Sequence, residues 1–219
     1  MTGLLQIDIS GENCVCIGGK SSVEPHAIDL RAGTFRSVCA ASNCICIGSY
    51  RDKANVFISD MDIAIDVRIA RGSMIGAAFG SQNIEIKNTL LKIFGSGNQV
   101  VGIGSTEKSS GRVKISEAQV NIAINGWNIA AIGTNGGGLD VELDHCKLVF
   151  YCEANIGTGI GCRDASANIS LDNVGLEMNV NSANGILFGC KAEAFTDSYC
   201  YFDVKRDNIV AGRKRWFVK

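Results

Sequence analysis

Proline and histidine are nearly missing from this chain: one Pro and two His occur among 219 residues. Set against 26 glycines, the lack of proline excludes collagen-like and proline-rich linker classes and leaves tight turns as the use for glycine. A Ser-His-Asp or Cys-His site would have to use His26 or His145. These lie several sequence units apart with no nucleophile motif near either, and both are expected to be solvent-exposed turn residues. Neither sign of charge is in excess, since 21 Lys and Arg stand against 22 Asp and Glu. That balance disfavours a strongly basic nucleic-acid binder and an acidic DNA mimic alike. No stretch approaches the roughly 18 uninterrupted apolar residues of a membrane span, and residues 1–9 lack the basic start and apolar run of a signal peptide.

What is present describes a chain able to bury a core. Apolar residues make up 46% and charged residues 20%, the composition of one soluble domain or two at most. Ten cysteines would suit a disulfide framework in a small exported domain. Here the chain is large enough for a core, and several Cys occupy positions where other units carry Ile, Val or Gly. Most are therefore read as reduced, buried, small hydrophobes, which points to a cytoplasmic location.

An Ile-Gly or Phe-Gly pair recurs along nearly the whole chain, at Ile17-Gly18, Ile47-Gly48, Ile75-Gly76, Ile103-Gly104, Ile132-Gly133, Ile160-Gly161 and Phe188-Gly189. The spacings are 30, 28, 28, 29, 28 and 28 residues, a regular repeat. After each pair comes a pattern that alternates by two, as in Val56, Ile58, Met61, Ile63, Ile65 and Val67, or Val113, Ile115, Ala118, Val120, Ile122 and Ile124. A weaker first copy runs Ile28, Leu30, Gly33, Phe35, Ser37, Cys39. Its one break is filled by Ser59-Asp60, Lys87-Asn88, Ser116-Glu117, Asp144-His145 and Asp172-Asn173, which turn the chain between strands.

No segment carries a helical period. The fold class is therefore all-β: a single-domain, right-handed parallel β-helix of about seven coils, with about three short strands per coil. Residues 1–204 are expected to form the β-helix. Residues 205–219, which abandon the period, are expected to form a C-terminal cap, apolar inside and charged outside. In the last unit Tyr199, Phe202 and Val204 keep the pattern while Asp197 takes an apolar slot.

The segments Gly102-Ile103-Gly104-Ser105 with Val113-Lys114-Ile115, and Gly159-Ile160-Gly161 with Asn168-Ile169-Ser170-Leu171, resemble the glycine-rich β-helical repeats of bacterial, notably clostridial, surface proteins described as carbohydrate-binding domains. The resemblance covers almost the entire chain and implies the fold and glycan binding. The chain departs from those modules in its missing leader and anchor, its many cysteines and its lower Gly-Thr-Asn content.

Several constellations have a chemical reading. Outward positions Asp29, Phe57, Glu85, Lys114, Glu142, Ser170 and Ser198 should form one ladder. Glu85, Lys114 and Glu142 on it would be a general acid and base around a lysine in a polysaccharide-cleaving enzyme, or otherwise cross-strand ion pairs on a solvated face. Asp60, Asp62 and Asp66 suit calcium or a solvated turn. The glycine-rich pieces at 133–138 and 18–21 have no helix after them, against a nucleotide site. Cys14-Val15-Cys16 and Cys44-Ile45-Cys46 stack on consecutive units, too open for an undistorted tetrahedral zinc site, so a reduced cysteine ladder with no metal is expected. Cys162 and Cys190 should stack in the same way.

Phe94 and Tyr151 fall on one outward ladder, with Val149, Leu90, Lys92 and Lys147 around them. Aromatic anchors with basic neighbours are typical of contact surfaces, so these six residues are the expected partner-binding site. The function expected is a non-catalytic, rigid interaction module without cofactor. Its partner is a protein inside the cell, as for a phage- or mobile-element-encoded inhibitor or structural protein. The alternative is a carbohydrate-binding module or a polysaccharide-active enzyme. Homo-oligomerisation through the same patch is compatible with the pattern; neither membrane nor nucleic acid is expected as a partner.

Overall fold

A strand whose residues alternate between apolar and polar buries one face only, and units that repeat this pattern bury it together by stacking. A computed structural model describes residues 3–20, 26–107, 109–162, 165–189, 192–198 and 201–205, and among these all regular structure is β. The strands are β1 (Gly3–Gly19), β2 (His26–Ser49), β3 (Ala54–Ala77), β4 (Gln82–Lys87), β5 (Leu90–Ser105), β6 (Gly111–Ser116), β7 (Gln119–Thr134), β8 (Leu139–Asp144), β9 (Lys147–Cys162), β10 (Ser166–Asp172), β11 (Gly175–Gly189), β12 (Ala192–Ser198) and β13 (Tyr201–Lys205). Every pairing is parallel. A long ladder runs β1-β2-β3-β5-β7-β9-β11-β13, and a shorter one runs β2-β3-β4-β6-β8-β10-β12. The result is a parallel β-solenoid of about six turns.

The repeat is the stacking register. Ile17 pairs with Ile47, Ile47 with Ile75, Ile75 with Ile103, Ile103 with Ile132, Ile132 with Ile160 and Ile160 with Phe188. Seven anchors thus bound six full turns. Ile47, Ile75, Ile103, Ile132 and Ile160 are completely buried, and each such side chain contributes about 1.5–3 kcal/mol through burial. The glycine after each anchor is required by the next coil: Gly48, Gly76 and Gly104 have φ of 145°, 134° and 136°, and a Cβ on any of them would collide with the backbone one coil on.

The breaks in alternation are left-handed turns. Ala32, Asp60, Asn88, Glu117, His145 and Asn173 all have φ between 45° and 57°. Each is the second residue of its break, and each of three donates its backbone N–H to the next coil: Asn88 to Ser116 O, Glu117 to Asp144 O and His145 to Asp172 O, at 2.9–3.0 Å. A tight turn that would otherwise expose its amide is thereby satisfied by stacking.

Three details differ from the sequence reading. Instead of three short strands, a coil is one strand of 24 residues in β2 and β3, and a short plus a long strand thereafter, because the ladder continues through the corners with single-residue interruptions. The residue in register with Ser170 is Thr196; Ser198 pairs with Asp172, since Phe195 is the residue in register with Ile169. Asp197 does occupy an apolar slot, over Leu171. His26 is no exposed turn residue: it opens β2, half-buried, with its ring where a Cβ on Gly19 would stand. Of the expected cap, only Lys205 falls among the described residues, at the end of β13.

Candidate functional site

The six expected contact residues share one outward face, on three adjacent ladders. Leu90, Gln119 and Lys147 form the first, Lys92, Asn121 and Val149 the second, and Phe94, Ala123 and Tyr151 the third. Their side chains point outward because their neighbours Leu91, Ile93, Leu148 and Phe150 are fully buried. Phe94 and Tyr151 are 50% and 51% exposed, far more than aromatic rings in a core. Ala123 between them leaves a gap one coil wide. The Tyr151 hydroxyl donates to Glu177 Oε1 at 3.3 Å, which orients the ring along the solenoid axis.

Beside this ladder lies an open groove of about 510 Å³. Its aromatic rim is Phe94 and Tyr151, and its far side is the next outward ladder, Arg68, Ser96, Asn125, Glu153 and Asn181, with Asn179 above Tyr151. Leu90, Lys92, Lys147 and Val149 flank the rings on the other side and do not line the groove. The sequence reading does not include the amide ladder, although adding two to the numbers of the Phe94 ladder reaches it. Nor does it include Trp127, 62% exposed at the corner after Asn125 and Gly126.

The second ladder of interest is confirmed in register from Asp29 through Phe57, Glu85, Lys114 and Glu142 to Ser170. Glu142 takes Lys114 Nζ and Arg112 Nη2, each at 2.8 Å. Hydrogen bonds from Lys114 and Arg112 hold its carboxyl below the usual carboxylate range, and Glu142 in turn raises Lys114. A general acid needs the opposite displacement, so this trio is arranged as an ion-pair ladder. Asp62 is engaged by Arg36 at 2.8 Å and Asp60 accepts from Asn88 at 2.6 Å, so the acidic cluster is divided among separate partners. Of the histidines, His145 is exposed at its turn and bonded through Nδ1 to Asp144, whose carboxylate raises its pKa. The loop at 133–138 closes on itself, with the Thr134 hydroxyl donating to Gly137 O.

The cysteines divide into two groups. Cys146, Cys152 and Cys162 are buried in the core; burial alone pushes the Cys152 thiol up to about 12, and Cys162 Sγ donates to Ser166 O at 3.2 Å. Cys190 and Cys200 lie outside the described residues. The other five gather in the first two coils. Cys14 pairs with Cys44 as expected, but Cys39 and Cys44 are joined as a disulfide, which departs from a wholly reduced ladder. Hydrogen bonds from Cys46 and from Ser37, the latter at 3.4 Å, bring the Cys16 thiol down to about 7 against its partial burial. Cys46, hydrogen-bonded to Cys16 and deeply buried, is held well above the ordinary thiol range.

Among the described residues no helix is long and apolar enough to cross a membrane. Comparison with known proteins gives no match: no family model fits the chain, no curated protein matches its sequence, and no solved structure matches its fold.

Proposed function

We propose that this protein is a non-catalytic, rigid binding module that acts inside the cell and lays a segment of a protein partner across the face bearing Phe94 and Tyr151. The observation that carries this reading is the pairing of two half-exposed aromatic rings on one ladder with Ala123 recessed between them. Leu90 and Val149 extend the apolar contact, while Lys92 and Lys147 favour an acidic segment. A stacked solenoid presents these groups without reorganising, so little ordering entropy opposes binding.

A second reading, glycan binding, is favoured by a separate observation. The groove behind the rings is lined by Asn125, Asn179, Asn181, Asp66 and Glu153, a set of amides and carboxylates suited to sugar hydroxyls beside aromatic platforms. Both readings share Phe94 and Tyr151. They separate at the flanks, since Lys92→Glu with Lys147→Glu removes acidic-peptide binding, and Asn125→Ala with Asn181→Ala removes glycan binding.

The experiment is capture of partners from host lysate by the tagged full chain, with a polysaccharide panel run in parallel. A stoichiometric protein lost with Phe94→Ala and Tyr151→Ala supports the first reading. Retention of a polysaccharide, lost with the same pair, supports the second. Binding that is indifferent to both rings would remove this face from consideration.

A further inference from the structure

Five cysteines meet at the N-terminal end of the solenoid, Cys14 and Cys16 on β1 and Cys39, Cys44 and Cys46 on β2. The Sγ atoms of Cys16, Cys44 and Cys46 all lie within 4.8 Å of one another, and those of Cys44 and Cys46 are 3.9 Å apart. Residues two apart on one strand are separated by roughly 6.6 Å along it, so these two side chains converge. They meet at a rung that every coil skips just before its anchor: the pairing of β2 with β3 skips Cys46, between Ile45↔Ser73 and Ile47↔Ile75, as that of β3 with β5 skips Met74. Three sulfurs at about 2.3 Å from one cation stand about 4.0 Å apart if trigonal and about 3.8 Å apart if tetrahedral. The Cys44–Cys46 distance already meets either, and the remaining distances, all within 4.8 Å, need to close by no more than about 1 Å.

The surroundings choose the type of ion. Cys44 and Cys46 are each 1% exposed, Cys16 is half-buried toward the open first coil, and the grouped ligand atoms are all sulfur. An all-sulfur set selects thiophilic cations over Mg²⁺ or Ca²⁺. Cys39, bonded to Cys44, withholds one of the three sulfurs.

We propose that Cys16, Cys44 and Cys46 form a three-thiolate site for one thiophilic d¹⁰ cation, Zn²⁺ or Cu⁺, gated by the Cys39–Cys44 disulfide. Opening the gate is a two-electron step. A dithiol reductant gives two electrons and two protons to the Cys39–Cys44 bond and becomes a disulfide itself, leaving two thiols. Cation binding then displaces the ligand thiol protons to water. Re-forming the Cys39–Cys44 bond by exchange with a small-molecule disulfide, which takes up the two electrons and leaves as thiols, removes Cys44 as a ligand and expels the ion. The site is independent of the face carrying Phe94 and Tyr151.

The test uses the full chain with the Cys39–Cys44 bond verified by mass spectrometry, before and after reduction with a phosphine under anaerobic conditions. Cd²⁺ is titrated in and the thiolate-to-cadmium charge-transfer band followed, with Zn²⁺ and Cu⁺ as competitors. One equivalent per chain is expected after reduction and none before. Displacement by Zn²⁺ identifies a divalent site, and displacement by Cu⁺ alone a cuprous one. Cys39→Ala should bind one equivalent without reductant, Cys16→Ser and Cys46→Ser should abolish stoichiometric binding, and Cys152→Ser should leave it intact. The proposal is overturned if the reduced wild-type chain takes up no equivalent, if the disulfide form binds equally well, or if binding survives both serine variants. The comparison of the two wild-type states holds even where a variant fails to fold.

Discussion

The carbonyl of Gly76 occupies the place that a Cβ on Gly48 would need. Gly104 does the same to Gly76, and Gly133 to Gly104, so one backbone stack runs up the solenoid at the residue after each anchor. With φ near 140° at Gly48, an L side chain is strained there even before the clash. Gly76→Ala is expected to cost at least about 3 kcal/mol in urea unfolding, the sum of backbone strain and displaced stacking. Gly175→Ala, where the nearest atom to a new Cβ is 3.8 Å away, should change stability by less than about 1 kcal/mol.

The six left-handed turn residues make an opposite prediction. Asp60, Asn88 and Asn173 suit that conformation, whereas Glu117, at φ 53°, does not. Glu117→Asn should stabilise the fold by about 0.5–1 kcal/mol, after allowing for its ion pair with Lys87, which is 3.7 Å long and more than half exposed on the Glu117 side. A lower urea midpoint for Glu117→Asn would refute this.

How much of this was legible in the sequence follows from what periodicity encodes. It fixes which residues stack, so the anchor ladder from Ile17 to Phe188 and the shared ladder of Phe94 and Tyr151 were readable residue by residue. It fails where a coil decays: with Asp197 in an apolar slot the alternation no longer marks Phe195 as the start of the last copy, and a strict 28-residue step puts Ser198 at the position that Thr196 holds. It is silent on convergence. Cys16, Cys44 and Cys46 approach one another at the rung that every coil skips before its anchor, and an alternating pattern carries no side-chain distance there. The amide side of the groove was encoded, but it lies just past the last apolar position of the pattern, beyond where the alternation was followed.

Gln82 tests the core. Its side chain is 2% exposed at the start of β4, stacked between Ala54 and Gly111, and neither its amide oxygen nor its nitrogen has a hydrogen-bond partner among the described residues. Each unsatisfied buried polar group costs about 1–3 kcal/mol, and an unbranched apolar side chain of similar length fills the same space without that penalty. Gln82→Met is expected to raise stability by about 1–2 kcal/mol, read from the denaturation midpoint at constant m-value. An unchanged or lowered midpoint would mean that the amide is satisfied in solution.

The pH profile has two limbs with opposite signs. On the acid side, Glu142 is held below its ordinary 4.5 by Lys114 and Arg112, and Asp62 below 3.8 by Arg36. A depressed folded value means stability that is present above the unfolded pKa and lost as pH falls through the folded one. On the neutral side, Asp144 raises His145 above 6.5, so its contribution is complete below 6.5 and disappears as pH rises through the folded value. These groups together stabilise the fold most between about 4.5 and 6.5. All are solvent-exposed to a degree that keeps each effect small: the Glu142 side chain is 38% exposed and that of His145 58%. An NMR titration should place the His145 midpoint above 6.5 and return it toward that value in Asp144→Asn. A midpoint unmoved by Asp144→Asn would show that the contact between Nδ1 and the carboxylate does not persist in solution.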